Sequence, residues 1–254
     1  MKALQITRLY LLENLRRQLH LITLFVAVIE LLIPVMVNAF GLSGFERISK
    51  DFGLTLLGFF GVGMAVFLGS TAVPADVERR TLYPLLARPL PRLHYLAGKL
   101  LGIVAVLAAS LLAVGLCLLF SAGAMVGHYD PAILLAVAYY FLESCVLAAG
   151  CLAVSTVASP ALSGVVGVFA YIVGGLPDEF IRFFLEPRGT QVTALLARSL
   201  KLVLPNFQIF HIKDSVVHGD PVVPGYLAAA LGYGVVWVFL LLLVAGALFE
   251  RRDL

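Results

Sequence analysis

Charge is scarce in this chain. Only 13% of its residues are Asp, Glu, Lys or Arg, against about 25% in an ordinary soluble domain. Cysteine is also scarce. Of three, Cys117 lies in one apolar run and Cys145 and Cys151 in another. With no CxxC pair and no His/Cys cluster, a disulfide framework or a metal site has no support, and the three read as small apolar packing residues. A phosphate-binding GxxxxGK[ST] loop needs a lysine followed by Ser or Thr. The five lysines are followed by Ala3, Asp51, Leu100, Leu202 and Asp214, so the chain carries no ATPase of its own. The sets HExxH, GxGD and a paired Ser and His are missing too, which argues against an enzyme. The small formal charge of +3 is assigned to membrane topology, and nucleic acid is not expected as a partner.

What fills the space is hydrophobic sequence. Apolar residues make up 61% of the chain and the mean hydropathy is +1.01. Several runs near or above 18 residues hold at most one charge. About 20 residues at 1.5 Å rise cross about 30 Å of hydrocarbon, so the fold class expected is all-α, a polytopic membrane protein in a single domain over residues 1–254.

Residues 1–19 form an amphipathic segment, with Leu4, Leu11, Leu15 and Leu19 near one helical face and Lys2, Glu13, Arg16 and Arg17 mostly elsewhere. Such a helix can lie in the headgroup plane. A signal peptide is not expected, although Val37-Asn38-Ala39 would suit cleavage, because the preceding run is too long and Glu30 interrupts it. Spans are expected at about 21–40, 52–73, 100–126, 132–157, 161–176 (short) and 225–249, six in all. Between the first two, residues 41–51 read as a polar turn. Gly41-Leu42-Ser43-Gly44 there matches the GxSG of intramembrane serine proteases. That chemistry needs a histidine on a later span, and His94, His128, His211 and His218 read as loop or boundary residues. The second span is rich in glycine, which suits close helix packing in lipid. Residues 177–224 are too polar to span and too apolar for a free loop, and read as interfacial or re-entrant helix on the outer side.

One polar interruption stands out, residues 74–99. It holds five of the eighteen basic residues and four of the twelve prolines. Pro74 can open a helix whose first turn carries Asp76 and Glu78, favourable beside the positive helix end. Leu82, Leu85 and Leu86 give that helix an apolar face. The run Arg88-Pro89-Leu90-Pro91-Arg92 breaks it, and Lys99 stands where a lysine would snorkel at the next span. Counting Lys and Arg near span ends places eleven on the side of the termini and hairpin and seven on the other. By the positive-inside rule, both termini and the hairpin are cytoplasmic.

Asp76-x-Glu78-Arg79-Arg80-Thr81-Leu82-x-x-Leu85-Leu86-Ala87-Arg88-Pro89-Leu90-Pro91-Arg92-x-x-Tyr95-Leu96-x-Gly98-Lys99 resembles a segment of the permease subunit of type-2 ABC exporters. The amphipathic start with Glu13-Asn14-Leu15-Arg16-Arg17, the six-span plan and the ending Phe249-x-Arg251-Arg252-Asp253-Leu254 are similar as well. The resemblance covers essentially the whole chain, though the sharp motif is about 25 residues long. The chain departs from larger members in having no big domain between the fifth and sixth spans. The resemblance implies that residues 74–99 are a coupling hairpin docking on a cytoplasmic ATP-binding subunit. Asp76, Glu78, Arg79, Arg80, Thr81, Leu82, Leu85, Leu86, Arg88, Pro89, Arg92, Tyr95 and Lys99 would be its contact and positioning residues. It also implies two ATPase copies carrying ATP and magnesium, and a second permease, identical or paralogous. The setting would be a bacterial or archaeal cytoplasmic membrane, and the chain itself would hold no cofactor.

Two carboxyls interrupt the spans: Glu30 near the middle of the first and Glu143 near the middle of the fourth. Ionisable residues at such depth mark a pathway or a pair. They are read either as lining a substrate or proton path, or as protonated or bonded to neighbours such as Asn38, Ser144 or Thr156 and pinning helix packing. The apolar span faces suit a lipidic or amphipathic cargo moved outward. An ion- or proton-coupled transporter or channel using Glu30 and Glu143 is the alternative, against which no inverted repeat is visible.

Overall fold

The structure, a computed structural model, describes residues 7, 9–11, 13, 19–39, 44–78, 92–176 and 204–251. Within them the chain is helical, with no strand. The elements in order are α1 (Leu19–Ala39), α2 (Phe45–Thr71), α3 (Pro74–Glu78), α4 (Arg92–Val126), α5 (Ala132–Ser155), α6 (Pro160–Gly174), a 3-10 turn (Phe207–Phe210), α7 (Lys213–His218) and α8 (Pro224–Glu250). Five helices are long and apolar enough to cross a membrane: α1, α2 continued through α3, α4, α5 and α8. α6 is a shorter apolar helix. The chain is an all-α, multi-pass membrane protein, as its composition predicts.

The long helices alternate in direction, so each end of the bundle gathers sequence from distant places. α5 stands at the centre, packed against α2, α4, α6 and α8. Small residues set how closely it is approached. A Cβ on Gly69 of α2 would lie 2.6 Å from the Ala148 carbonyl oxygen and 2.7 Å from the Cys151 Cβ of α5. The two backbones therefore touch, which is how helices gain packing contact when lipid is as apolar as they are. α1 and α8 lie at the periphery and bury few residues. On α1 these are Leu19, Ala27, Glu30 and Pro34, while Phe25, Leu32 and Met36 of the same helix face outward.

Two helices begin earlier than the sequence pattern indicates. Residues 45–51 are not a turn but the opening of α2, after Gly44 with its left-handed φ of 83°. Lys50 is the buried charge among them, and it bridges Glu46 one turn back at 2.7 Å and Asp130 before α5 at 2.6 Å. Likewise α4 starts at Arg92, so residues 92–99 are its first two turns. Lys99 does not snorkel outward. It is 5% exposed and pairs inward, as described below.

α6 has only 15 residues, about 22 Å of helix. Beyond its end the chain returns at residues 204–212 to pack on α5, α6 and α8. Phe207 and Phe210 are buried, against Tyr171 and Tyr233 respectively. The Tyr233 hydroxyl accepts from the Asn206 N–H at 2.7 Å, and Tyr226 donates to the Ile209 carbonyl at 2.8 Å. Residues 177–203, the rest of the segment read as interfacial or re-entrant, lie outside the described residues, as do most of residues 1–19.

Candidate functional site

At the end of the bundle where α1 begins, the polar interruption is tied into the helices by a buried knot. Proline at the first position opens α3, since its missing N–H is unneeded there. The Val73 carbonyl accepts from the N–H groups of Asp76 and Val77. That short turn aims the Asp76 carboxylate at α4, where Tyr95 and Lys99 stand one turn apart on the same face. The Lys99 ammonium meets it at 2.8 Å and the Tyr95 hydroxyl donates to it at 2.6 Å. Lys99 also lies over the Tyr10 ring, 4.8 Å from its centroid. A desolvated ammonium held by a carboxylate and an aromatic face gains from both.

Arg92 extends the knot to the end of α8. Its guanidinium donates to the carbonyl oxygens of Phe249 at 2.6 Å and Glu250 at 3.1 Å. Those are orphan acceptors at the negative helix end, where a cation is favoured. The group also covers the Phe249 ring at 5.6 Å, and that fully buried ring stacks on Tyr95 at 5.9 Å. Thr7 donates to the Gly98 carbonyl at 3.0 Å. One cluster thus joins the start of the chain, α3, α4 and α8.

Of the residues the motif singles out, the structure brings Asp76, Arg92, Tyr95 and Lys99 together, and leaves Glu78 exposed at the last described turn of α3. Arg79, Arg80, Thr81, Leu82, Leu85, Leu86, Arg88 and Pro89 lie outside the described residues. Tyr10 and Phe249 are partners that no spacing rule could find, because they come from opposite ends of the chain.

The two mid-span carboxyls have different surroundings. Glu30 is fully buried, and neither carboxyl oxygen has a hydrogen-bond partner. Asn38, a neighbour suggested by sequence, turns instead toward the Met125 sulfur. The Glu30 carboxyl lies against Gly53, where a Cβ would sit 2.9 Å from Oε1. Glu143 is 1% exposed and is paired, though not with Ser144 or Thr156. Its Oε1 meets His211 Nε2 at 2.9 Å, a contact across 68 positions that brings a loop histidine onto α5. The hydrogen bond with Glu143 raises the His211 pKa above the usual imidazole range, helped by the charges of Glu143 and Asp214, while burial and Lys213 act against it.

That raised value fixes a sign. A group whose pKa is higher in the folded state contributes stability fully present below its unfolded value, about 6.5, and lost as pH rises through the folded one. The wild type is therefore expected to lose thermal stability relative to His211→Gln as pH is raised from 6 toward 9. A difference in melting temperature that stays flat across that range would show that the pair does not act in this way.

Around this pair, at the end opposite the knot, lies a second charged layer. Lys213 of α7 pairs with Asp51 of α2 at 2.8 Å and donates to Thr55 at 3.1 Å. Asp130 is partly buried, which disfavours its charge. Its bonds from Lys50 and from the Ala132 N–H, with the fields of Lys50 and His128, nevertheless hold its carboxyl below the usual range. A cleft of about 300 Å³ opens between α2, α5, α6 and α7, with Tyr140 and Tyr171 as walls and His211, Lys213 and Asp214 at its side. Gly58 forms part of its floor, since a Cβ there would come within 2.9 Å of the Tyr140 ring. Among the described residues no three His, Cys, Asp or Glu side chains gather as they would around a metal ion.

The arrangement is a helical bundle with a rigid polar knot at one end and a charged cleft at the other. Residues 16–254 match the model of a family described as ABC-2 family transporter protein. No curated protein matches the chain.

Proposed function

The chain belongs to the ABC-2 family of transporter proteins, and from that premise we propose that it is the permease subunit of an exporter driven by a separate ATPase. In this reading the knot side of the bundle, with both termini, faces the cytoplasm. Two ATP-binding subunits dock on the segment around residues 74–99, and a second permease, identical or paralogous, completes the pathway. ATP and magnesium belong to the ATPase, and this chain performs no chemistry. The membrane is a bacterial or archaeal cytoplasmic membrane. The cargo is lipidic or amphipathic, in keeping with the outward apolar faces of α1, α6 and α8.

One observation carries the reading. Asp76, at the foot of the proposed docking segment, is locked to Tyr95 and Lys99 of α4, so a displacement of that segment must be passed to α4. A loop that merely connected two spans would need no such buried ionic tie, which costs desolvation. The test is to co-express the chain with a candidate ATPase, capture the complex in detergent and follow ATP hydrolysis. Wild type is expected to bind and stimulate the ATPase, and the Glu78→Ala/Arg79→Ala double variant to lose binding or stimulation. If no ATPase is captured and the variant behaves as wild type, the exporter reading fails, and an ion-coupled mechanism through Glu30 and Glu143 becomes the better account.

A further inference from the structure

The cleft at the far end of the bundle has an exposed mouth, where His211 and Asp214 stand, and reaches inward between α2, α5 and α6. Behind its wall Glu143, which holds His211, lies 11 residues into α5, about 17 Å along the helix. Ionisable groups are expensive at such depth and usually face a cavity that serves a purpose. A volume of about 300 Å³ sits at the small end of the range for organic ligands.

Its charges do not balance. Lys213 is held by Asp51 and His211 by Glu143, so each cation at the wall already has its own carboxylate. Asp214, also at the wall, has no ion pair and no side-chain hydrogen bond through its carboxylate among the described residues. One negative charge is left over when His211 is protonated, and two when it is neutral. Three aromatic rings complete the lining: Tyr140, Tyr171 and Phe59. Phe59 is 71% exposed, an apolar ring standing open at the rim. Aromatic faces beside excess negative charge attract a cation with organic substituents, by ring quadrupole and Coulomb field together. An anion would have to displace Asp51 or Glu143 from its partner.

We propose that this cleft is a binding site for an amphipathic organic cation, an amine or quaternary ammonium whose charged head lies between Tyr140, Tyr171 and Asp214 and whose apolar part leaves past Phe59. Binding itself needs no ATPase. Only its role as the transported species rests on the permease reading. The site is also pH-dependent, because an imidazolium at its wall repels the guest. The groups facing His211 are Glu143 and Tyr140 from α5, Tyr171 from α6, Asp51 from α2, and Lys213 and Asp214 from its own segment. Its bond with Glu143 keeps His211 protonated to a higher pH than a free imidazole, so affinity for the cation rises as pH is raised through that transition.

The test uses the full chain in an uncharged maltoside micelle, free of choline lipids, with three probes followed by calorimetry. These are benzyltrimethylammonium, benzyl alcohol as a neutral counterpart and phenylacetate as an anionic one. The cation is expected to bind saturably and at least about tenfold tighter than either other probe. Asp214→Asn, at an exposed position, is expected to weaken it about fivefold, and raising pH from 6 to 8 to strengthen it in wild type but not in His211→Gln. Equal binding of the alcohol, preference for phenylacetate, or an Asp214→Asn variant indistinguishable from wild type would each overturn the proposal. Retained cation binding in the Glu78→Ala/Arg79→Ala variant would separate this result from the fate of the ATPase reading.

Discussion

Replacing Lys99 by methionine is expected to destabilise the bundle by about 3–5 kcal/mol, the range for removing one partner of a buried ion pair. Methionine keeps the apolar stem of the lysine but leaves Asp76 charged in a setting where its side chain is 9% exposed. Asp76→Asn is expected to act in the same direction, because the ammonium would then lie buried over Tyr10 without a carboxylate. The double variant removes both charges together. It is expected to recover most of the stability, since a buried pair exchanged for uncharged groups often costs little. Stimulation of a bound ATPase should recover less than stability, because the ionic part of the tie between α3 and α4 is gone and only the Tyr95 hydroxyl still has an acceptor on α3. The readouts are thermal unfolding of the solubilised chain and hydrolysis by the assembled complex. Single variants that melt with wild type would mean the knot is solvated and holds nothing. A double variant with full stimulation would mean that the push reaches α4 by another route.

The same substitution at the two mid-span glutamates is expected to move stability in opposite directions. Glu30→Met removes two carboxyl oxygens that have no hydrogen-bond partner and fills nearly the same space with apolar atoms. Relief of a buried unsatisfied group is worth about 1–3 kcal/mol, so the variant should melt higher. Glu143→Met breaks the contact with His211 and leaves the imidazole beside an apolar helix. Hydrogen bonds to charged groups contribute about 1.5–3 kcal/mol, so this variant should melt lower. Measuring both on one day in one detergent suffices. A rise for Glu143→Met, or a fall for Glu30→Met, would reverse the assignment of which carboxyl is held. Transport then decides purpose: a Glu30 variant that is more stable and still transports at the wild-type rate would remove that residue from any substrate path.

The spans were legible because an apolar run of sufficient length has few other uses. Residues 21–40 and 225–249, read from hydropathy alone, became Leu19–Ala39 and Pro224–Glu250. Helix starts were legible where the first turn is apolar or where a proline marks it, as Pro74 does for α3, and were missed elsewhere. Glu46, Lys50 and Asp51, and later Arg92 and Lys99, look like loop charges in sequence, yet each finds a partner inside the bundle and the helix runs through them. Partnership across the chain was not legible at all. Nothing in the spacing of Glu143 and His211 ties them, since the contact is made by a segment that folds back beyond the short α6. Tyr10 and Phe249 escaped for the same reason. Their place around Lys99 and Arg92 depends on which helix ends share a level, and that is a property of the packed bundle. Four residues of the hairpin motif, Asp76, Arg92, Tyr95 and Lys99, meet in one cluster that the motif's spacing did not announce, while the two mid-span glutamates read alike and proved to be opposites.

α4 runs 35 residues without a proline, about 52 Å of continuous helix, and packs along its length against α1, α2, α5 and α8. A rod of that length has leverage. Pivoting about its middle by about 5° carries each tip about 2 Å, and in opposite directions. Its lower tip is the arginine that grips the end of α8, and its upper tip adjoins the Asp130 turn beneath which Lys50 is clasped. A see-saw of this kind needs no hinge and no melting of any turn. If the bundle works as the proposed permease, stroke at one end and aperture at the other are a single motion with its sign reversed, and stiffness of this helix, not flexibility, sets how faithfully one end answers the other.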